Sequence, residues 1–163
     1  MTAASLIDEA ALDALIREID DPELPHVTIG DLGIVRSVAV NGATATVVLT
    51  PTYTGCPATE QIRDDVETAV RDAGYDADVT FAISPAWTTD WITDRGRDRL
   101  LAAGISPPPP VAEPGSTFVD PPVACPRCSS RHTRRISQFG GTACKASYVC
   151  RACSEPFELF KAL

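Results

Sequence analysis

Several kinds of chemistry are missing from this 163-residue chain before any motif is sought. It has only two histidines, His26 and His132. Neither stands in a metal-ligand or Ser/Cys–His spacing, so both read as surface residues. There is no glycine-rich phosphate loop and no G-x-S-x-G elbow, which removes the common nucleotide and hydrolase signatures. Aromatic residues make up 6%. The apolar runs are short, Val47-Val48-Leu49 being typical, and none approaches the ~20 residues of a membrane-spanning helix. The N-terminus lacks a basic segment followed by an apolar stretch, so a secretory signal is not expected. The chain therefore reads as cytoplasmic, with no membrane partner. In that compartment cysteines stay reduced, and paired cysteines point to metal before disulfides.

Basic charge is also scarce where it would matter. The net charge is −8, unevenly spread: residues 1–104 carry 18 acidic and 7 basic side chains, residues 105–163 carry 4 and 7. An acidic body repels phosphates, which speaks against nucleic acid. Arg127, Arg131, Arg134, Arg135 and Arg151 in the tail offer a nucleic-acid-binding alternative, but aromatic interleaving is thin.

What is present divides the chain. Half of the 14 prolines fall between Ile105 and Pro122. Such a stretch forms neither helix nor central strand and reads as an extended linker. The expected domains are therefore a body over 1–104, a linker over 105–122 and a tail over 123–163. The body reads as an α/β (α+β) domain in the order α-β-β-α-β-α, a small sheet with helices on one face. Ser5 with Asp8 three residues on suggests a capping box, and Leu12, Leu15, Ile16 and Ile19 one apolar helix face. Asn41-Gly42 signals a type I′ hairpin between Ile34–Val40 and Ala43–Leu49. A second helix carries Ile62, Val66, Ala69 and Val70 and ends near Gly74. Val79–Ile83 is the third strand, and a last helix is expected from Thr89 to Ala103. Asp20-Asp21 and Asp64-Asp65 are expected to face solvent. Trp87 and Trp91 read as core residues or as aromatic anchors for a partner.

Two constellations carry chemistry. Cys125-x-x-Cys128 and Cys150-x-x-Cys153, 21 residues apart, have the spacing of two knuckles that aim four thiolates at one tetrahedral ion. One structural zinc ion is expected in a ribbon, and rubredoxin-like iron would suit the same sulfurs. With four protein ligands no position remains open for catalysis. Cys144, beside Lys145, is either a small packed residue near the knuckle, or a thiolate activated by Lys145 or a reserve ligand.

The second constellation is Thr54-Gly55-Cys56-Pro57. Pro57 suits the first helical position, which makes Cys56 the N-cap, where free amides and the helix dipole favour a thiolate. Metal or Fe–S ligation, or thiol chemistry, is one reading. A small hydrophobe packed under the turn is the other. One cysteine cannot hold a cluster alone, so a second chain, a small thiol or nearby acids would have to complete it.

Four segments of the body, Asp21-Pro22-Glu23-Leu24-Pro25, Asp31-Leu32-Gly33, Thr54-Gly55-Cys56-Pro57 and Pro85-Ala86-Trp87, resemble the metal–sulfur cluster assembly family. With the linker and the tail motif Phe139-Gly140-Gly141-Thr142-Ala143-Cys144-Lys145 between the cysteine pairs, the whole resembles the D-subunit family of bacterial phenylacetyl-CoA epoxidase systems. The resemblance implies an accessory, non-catalytic subunit of a monooxygenase for aerobic phenylacetate degradation. It would assemble or mature the iron or Fe–S centres of its partners, a di-iron oxygenase and a reductase. The family's motif cysteine falls on Cys56 and its motif acids on Glu23 and Asp31, the expected site of a transient iron or Fe–S cluster. A permanent structural or electron-relay subunit is the alternative.

Overall fold

The first element starts on an acid. In the computed structural model, which describes residues 7–109 and 123–161, the Asp8 carboxylate accepts from the Ala11 amide at 2.8 Å and caps α1 (Glu9–Arg17). Ser5, the expected cap, lies outside the described residues, as do the prolines from Pro110 to Pro122. Leu12 and Ile16 are fully buried, whereas Leu15 is 44% exposed. The step from Leu12 to Ile16 turns about 40° around the axis, while Leu15 falls about 60° to the other side. That puts it at the edge of the apolar face.

β1 (Val35–Asn41) and β2 (Thr44–Leu49) pair antiparallel, with Asn41 opposite Thr44. The loop is therefore Gly42-Ala43, one residue beyond the expected turn. Only Gly42 has positive φ, 61°, as when glycine takes the first position of a type II′ turn; type I′ would need positive φ at both. α2 (Ala58–Asp72) then carries the chain over to β3 (Asp76–Phe81), which runs parallel to β2. A parallel neighbour requires such a crossover. The sheet order is β1-β2-β3. α1 packs on β1, α2 on β3, and the helices on each other, forming one helical layer. Between them lie Ala45, Val47 and Leu49, alternating along β2, and Ile62, Val66 and Val70, one α2 turn apart.

The segment between α1 and β1 is almost entirely buried from Val27 to Val35. Gly30 lies against the end of α1, where a Cβ would stand 2.5 Å from the Arg17 carbonyl oxygen; only glycine fits there. Trp87 is buried and donates its indole N–H to the Leu32 carbonyl at 2.8 Å, a core role. Asp21, expected in solvent, is 9% exposed. Its carboxylate accepts from the Glu23 amide at 2.8 Å, an Asx-type turn that satisfies a carboxylate at low exposure.

The chain divides into compact units after Trp87, earlier than the boundary read at residue 104. In the second unit, the expected helix from Thr89 to Ala103 is broken. A 3-10 turn covers Thr89–Trp91, Ile92 is extended, and Thr93 caps α3 (Asp94–Ala102) by accepting from the Gly96 amide at 2.9 Å. β4 (Ile105–Ser106) pairs parallel with β7 (Pro156–Phe160). Its two residues, read as the start of the linker, are buried. β5 (Thr133–Ser137) and β6 (Lys145–Cys150) complete the order β4-β7-β6-β5. No helix among the described residues is long and apolar enough to cross a membrane.

Candidate metal centre and the Cys56 cleft

Each cysteine pair sits on a tight turn closed by backbone hydrogen bonds. The Ser129 amide donates to the Cys125 carbonyl and the Cys125 amide to the Ser130 carbonyl, both at 2.9 Å. The Cys150 amide donates to the Glu155 carbonyl at 2.8 Å. Ser129 and Ser154, each following the second cysteine of its pair, have φ of 60° and 63°. The two knuckles are thus built alike. Arg127 on the first is paired with Glu155 on the second.

Together they bring four sulfurs to one point. Cys125 Sγ and Cys153 Sγ are 3.8 Å apart, Cys128 Sγ and Cys150 Sγ 3.6 Å. All four lie within 4.8 Å of one another. A tetrahedral ion with metal–sulfur bonds of about 2.3 Å requires sulfurs about 3.8 Å apart, so the residues fit a metal. Electrostatics agree. Burial opposes the charge on Cys150, but the Cys153 and Ala152 amides and the neighbouring thiols donate to its sulfur and bring it down to about 7. The Glu155 amide favours the thiolate of Cys153, yet burial and the three other sulfurs outweigh it and push the thiol up to about 12. Four crowded sulfurs ionise together only around a cation.

Cys144 is not part of this group. It is buried, with Thr142 Oγ1 3.0 Å from its sulfur, and the Lys145 ammonium is paired with Glu158 at 2.7 Å. Cys144 is therefore a packed residue, and the ammonium of its neighbour Lys145 is held by Glu158.

The other expected site residues lie in the three-stranded unit. Pro57, not Cys56, is the N-cap of α2, and no side chain bonds to the cap. Cys56 stands one residue before it. The thiol is half-buried, lies 3.9 Å from Glu23 Oε2, and lines a cleft of about 290 Å³ with Thr54, Thr59, Arg63 and Phe81. Asp31 is fully buried. Its carboxylate accepts from the Thr28 amide, and the Thr28 hydroxyl accepts from the Asp31 amide, both at 3.1 Å. The structure thus brings Cys56 and Glu23 together. Among the described residues, only the four ribbon cysteines form a group of three or more candidate ligands within 4.8 Å. Cys56, Glu23 and Asp31 do not converge on one ion.

Comparison with known proteins matches both regions. Residues 9–81 match the family described as iron-sulfur cluster assembly protein, and residues 109–161 the PaaD zinc beta ribbon domain. A protein of Escherichia coli (strain K12), named as the putative D-subunit of 1,2-phenylacetyl-CoA epoxidase, is 47% identical over 151 residues, covering 92% of this chain and 90% of that one. The chain belongs to the D-subunit family of phenylacetyl-CoA epoxidases. The body alone is also 37% identical to "Fe-S protein maturation auxiliary factor SufT" of Staphylococcus aureus (strain USA300), over 53% of this chain and 97% of that protein. Among solved structures, a Domain of Unknown Function DUF59 from Bacillus anthracis is 28% identical with a TM-score of 0.52, over 56% of this chain and 90% of that one.

Two features of this D-subunit relative are not legible in its motifs. Arg63, one α2 turn beyond Thr59, places its guanidinium 5.3 Å over the Phe81 ring. In the ribbon, Glu158 accepts from the Gly141 amide at 2.6 Å and from Lys145. Partial burial works against its charge, but these two donors hold its carboxyl below the usual range. A carboxyl depressed by folding stabilises the fold fully above its unfolded pKa and loses that effect as pH falls through the folded value. Glu158→Gln is therefore expected to lower the ribbon's melting temperature near pH 7. The gap from the parent should narrow below about pH 4. Melts of both proteins across pH check it, and a gap that does not depend on pH refutes it.

Proposed function

We infer that this chain is an accessory, non-catalytic subunit of a phenylacetyl-CoA epoxidase system. It assembles or matures the iron or Fe–S centres of its partner subunits, a di-iron oxygenase and a reductase. The observation that carries this reading is the Cys56 thiol, half-buried at an open cleft with the Glu23 carboxylate 3.9 Å away. A thiolate and a carboxylate are both iron ligands, and two ligands leave most of an ion's positions open. That suits cargo that must leave again. Asp31 fixes the 28–31 turn from inside.

The ribbon has a different part. Its four thiolates saturate a tetrahedral ion, which favours one structural zinc and a docking or stabilising role. Reduced, metal-binding cysteines agree with a cytoplasmic protein.

The test is Cys56→Ser in the assembled system, with iron measured in the oxygenase and reductase. The expected result is under-loaded partners at normal abundance of every component. Full loading and activity with the serine variant would exclude a role for Cys56 in maturation.

A further inference from the structure

The cleft beside Cys56 holds a cation with no carboxylate opposite it. Residues 1–104 carry 18 acidic side chains and only 7 basic ones. Arg17 and Arg71 each pair with an acid one helical turn away. Arg63 does not. Its Nε is enclosed without a hydrogen-bond partner among the described residues, and its guanidinium rests over Phe81, on the wall of the cleft. An arginine held on an aromatic face is preorganised to receive a planar anion.

Three further observations describe the occupant. α2, 15 residues long, begins at the same cleft without a side-chain cap, so the positive end of its dipole favours an anion there. The rim is apolar and exposed, with Tyr53 at 40% and Ile83 at 69%. The volume, about 290 Å³, sits at the small end of sites for small molecules, roughly 300 Å³ and upward.

The geometry points to a binding site for a low-molecular-weight thiol that also carries a carboxylate. The carboxylate meets Arg63 and the start of α2, an apolar part lies on Tyr53 and Ile83, and the sulfur reaches the metal beside Cys56. The thiol part rests on the reading of Cys56 and Glu23 as cargo ligands, since those two leave coordination positions open. The carboxylate part stands on the cleft alone.

Reduced glutathione is a suitable probe, titrated anaerobically into the full metal-bound chain with and without one equivalent of ferrous iron. Saturable binding is expected in both. Arg63→Gln should weaken it about tenfold, as should esterifying the glutathione carboxylates. With iron present, glutathione should bind more tightly than S-methylglutathione. An unchanged amide spectrum away from the cleft verifies that the variant is folded. Absence of saturable binding, or equal affinity for parent and Arg63→Gln, overturns the site. Equal affinity for the free and methylated thiols with iron present overturns the thiol assignment. If glutathione binds as expected while Cys56→Ser leaves partner iron loading intact, the site stands and the maturation role falls. If loading depends on Cys56 but glutathione does not bind, the reverse holds.

Discussion

Stripping the ribbon's metal, by chelation or by Cys150→Ala, is expected to unfold residues 123–161 and to leave the three-stranded unit folded. The apolar core of the ribbon is Val123, Ala146, Tyr148, Phe157 and Leu159 with the cysteines themselves, and in it Tyr148 stacks on Phe157 at 5.8 Å. So small a core does not offset the chain entropy of about forty residues. Structural zinc in comparable modules contributes about 10 kcal/mol or more at neutral pH, which exceeds the whole stability of many domains. Without the cation, the sulfurs that push Cys153 to about 12 also repel one another once ionised. Cys150 is the choice for mutation because it is fully buried, at the point where β6 ends and its knuckle begins. The measurement is amide dispersion resolved by region, alongside metal content. Collapse should stop short of the three-stranded unit, because Leu12, Ile16, Val47 and Val66 are buried within it, whereas β4 loses its partner β7. A chelated chain whose Tyr148 and Phe157 signals stay dispersed would show that the ribbon folds without its ion.

The ribbon was legible because metal ligation is a local rule. Two residues between cysteines dictate a turn, and two such turns dictate a common focus. The body's element order was legible for a similar reason. Its helices carry a 3.6-residue apolar period, and its hairpin a glycine that must take positive φ. What stayed hidden depends on partners distant in sequence. Nothing local marks Ile105-Ser106 as a strand, because its partner β7 lies some fifty residues on. Asp21 looks like any solvated acid until the backbone turns its carboxylate onto the Glu23 amide. Arg63 is one charge among many on an amphipathic helix until β3 supplies the Phe81 face. The family resemblance named Cys56, Glu23 and Asp31 together. The fold separates them into a thiol–carboxylate pair at the surface and a buried acid that serves a turn.

That separation makes Cys56→Ser and Asp31→Ala fail differently. Serine is nearly isosteric with cysteine, and Cys56 is only half-buried, so stability should change by less than about 1 kcal/mol. Iron uptake by the isolated chain should disappear, because a hydroxyl does not ionise near neutral pH and Glu23 alone is a weak anchor. Asp31→Ala leaves the Thr28 amide buried without its acceptor and opens a space inside the Val27–Val35 segment. An orphaned buried donor costs about 1–3 kcal/mol, and the lost reciprocal bond adds to it. Asp31→Ala should therefore lower the unfolding free energy by about 3 kcal/mol, while the folded fraction still takes up iron through Cys56 and Glu23. Denaturant melts and iron titration, run on both variants at a temperature where Asp31→Ala remains folded, separate the two effects. The division of labour fails if folded Asp31→Ala chains lose iron as completely as Cys56→Ser chains do. Asp31 would then have to reach the metal itself, and the turn it now closes on Thr28 would have to open for it to do so.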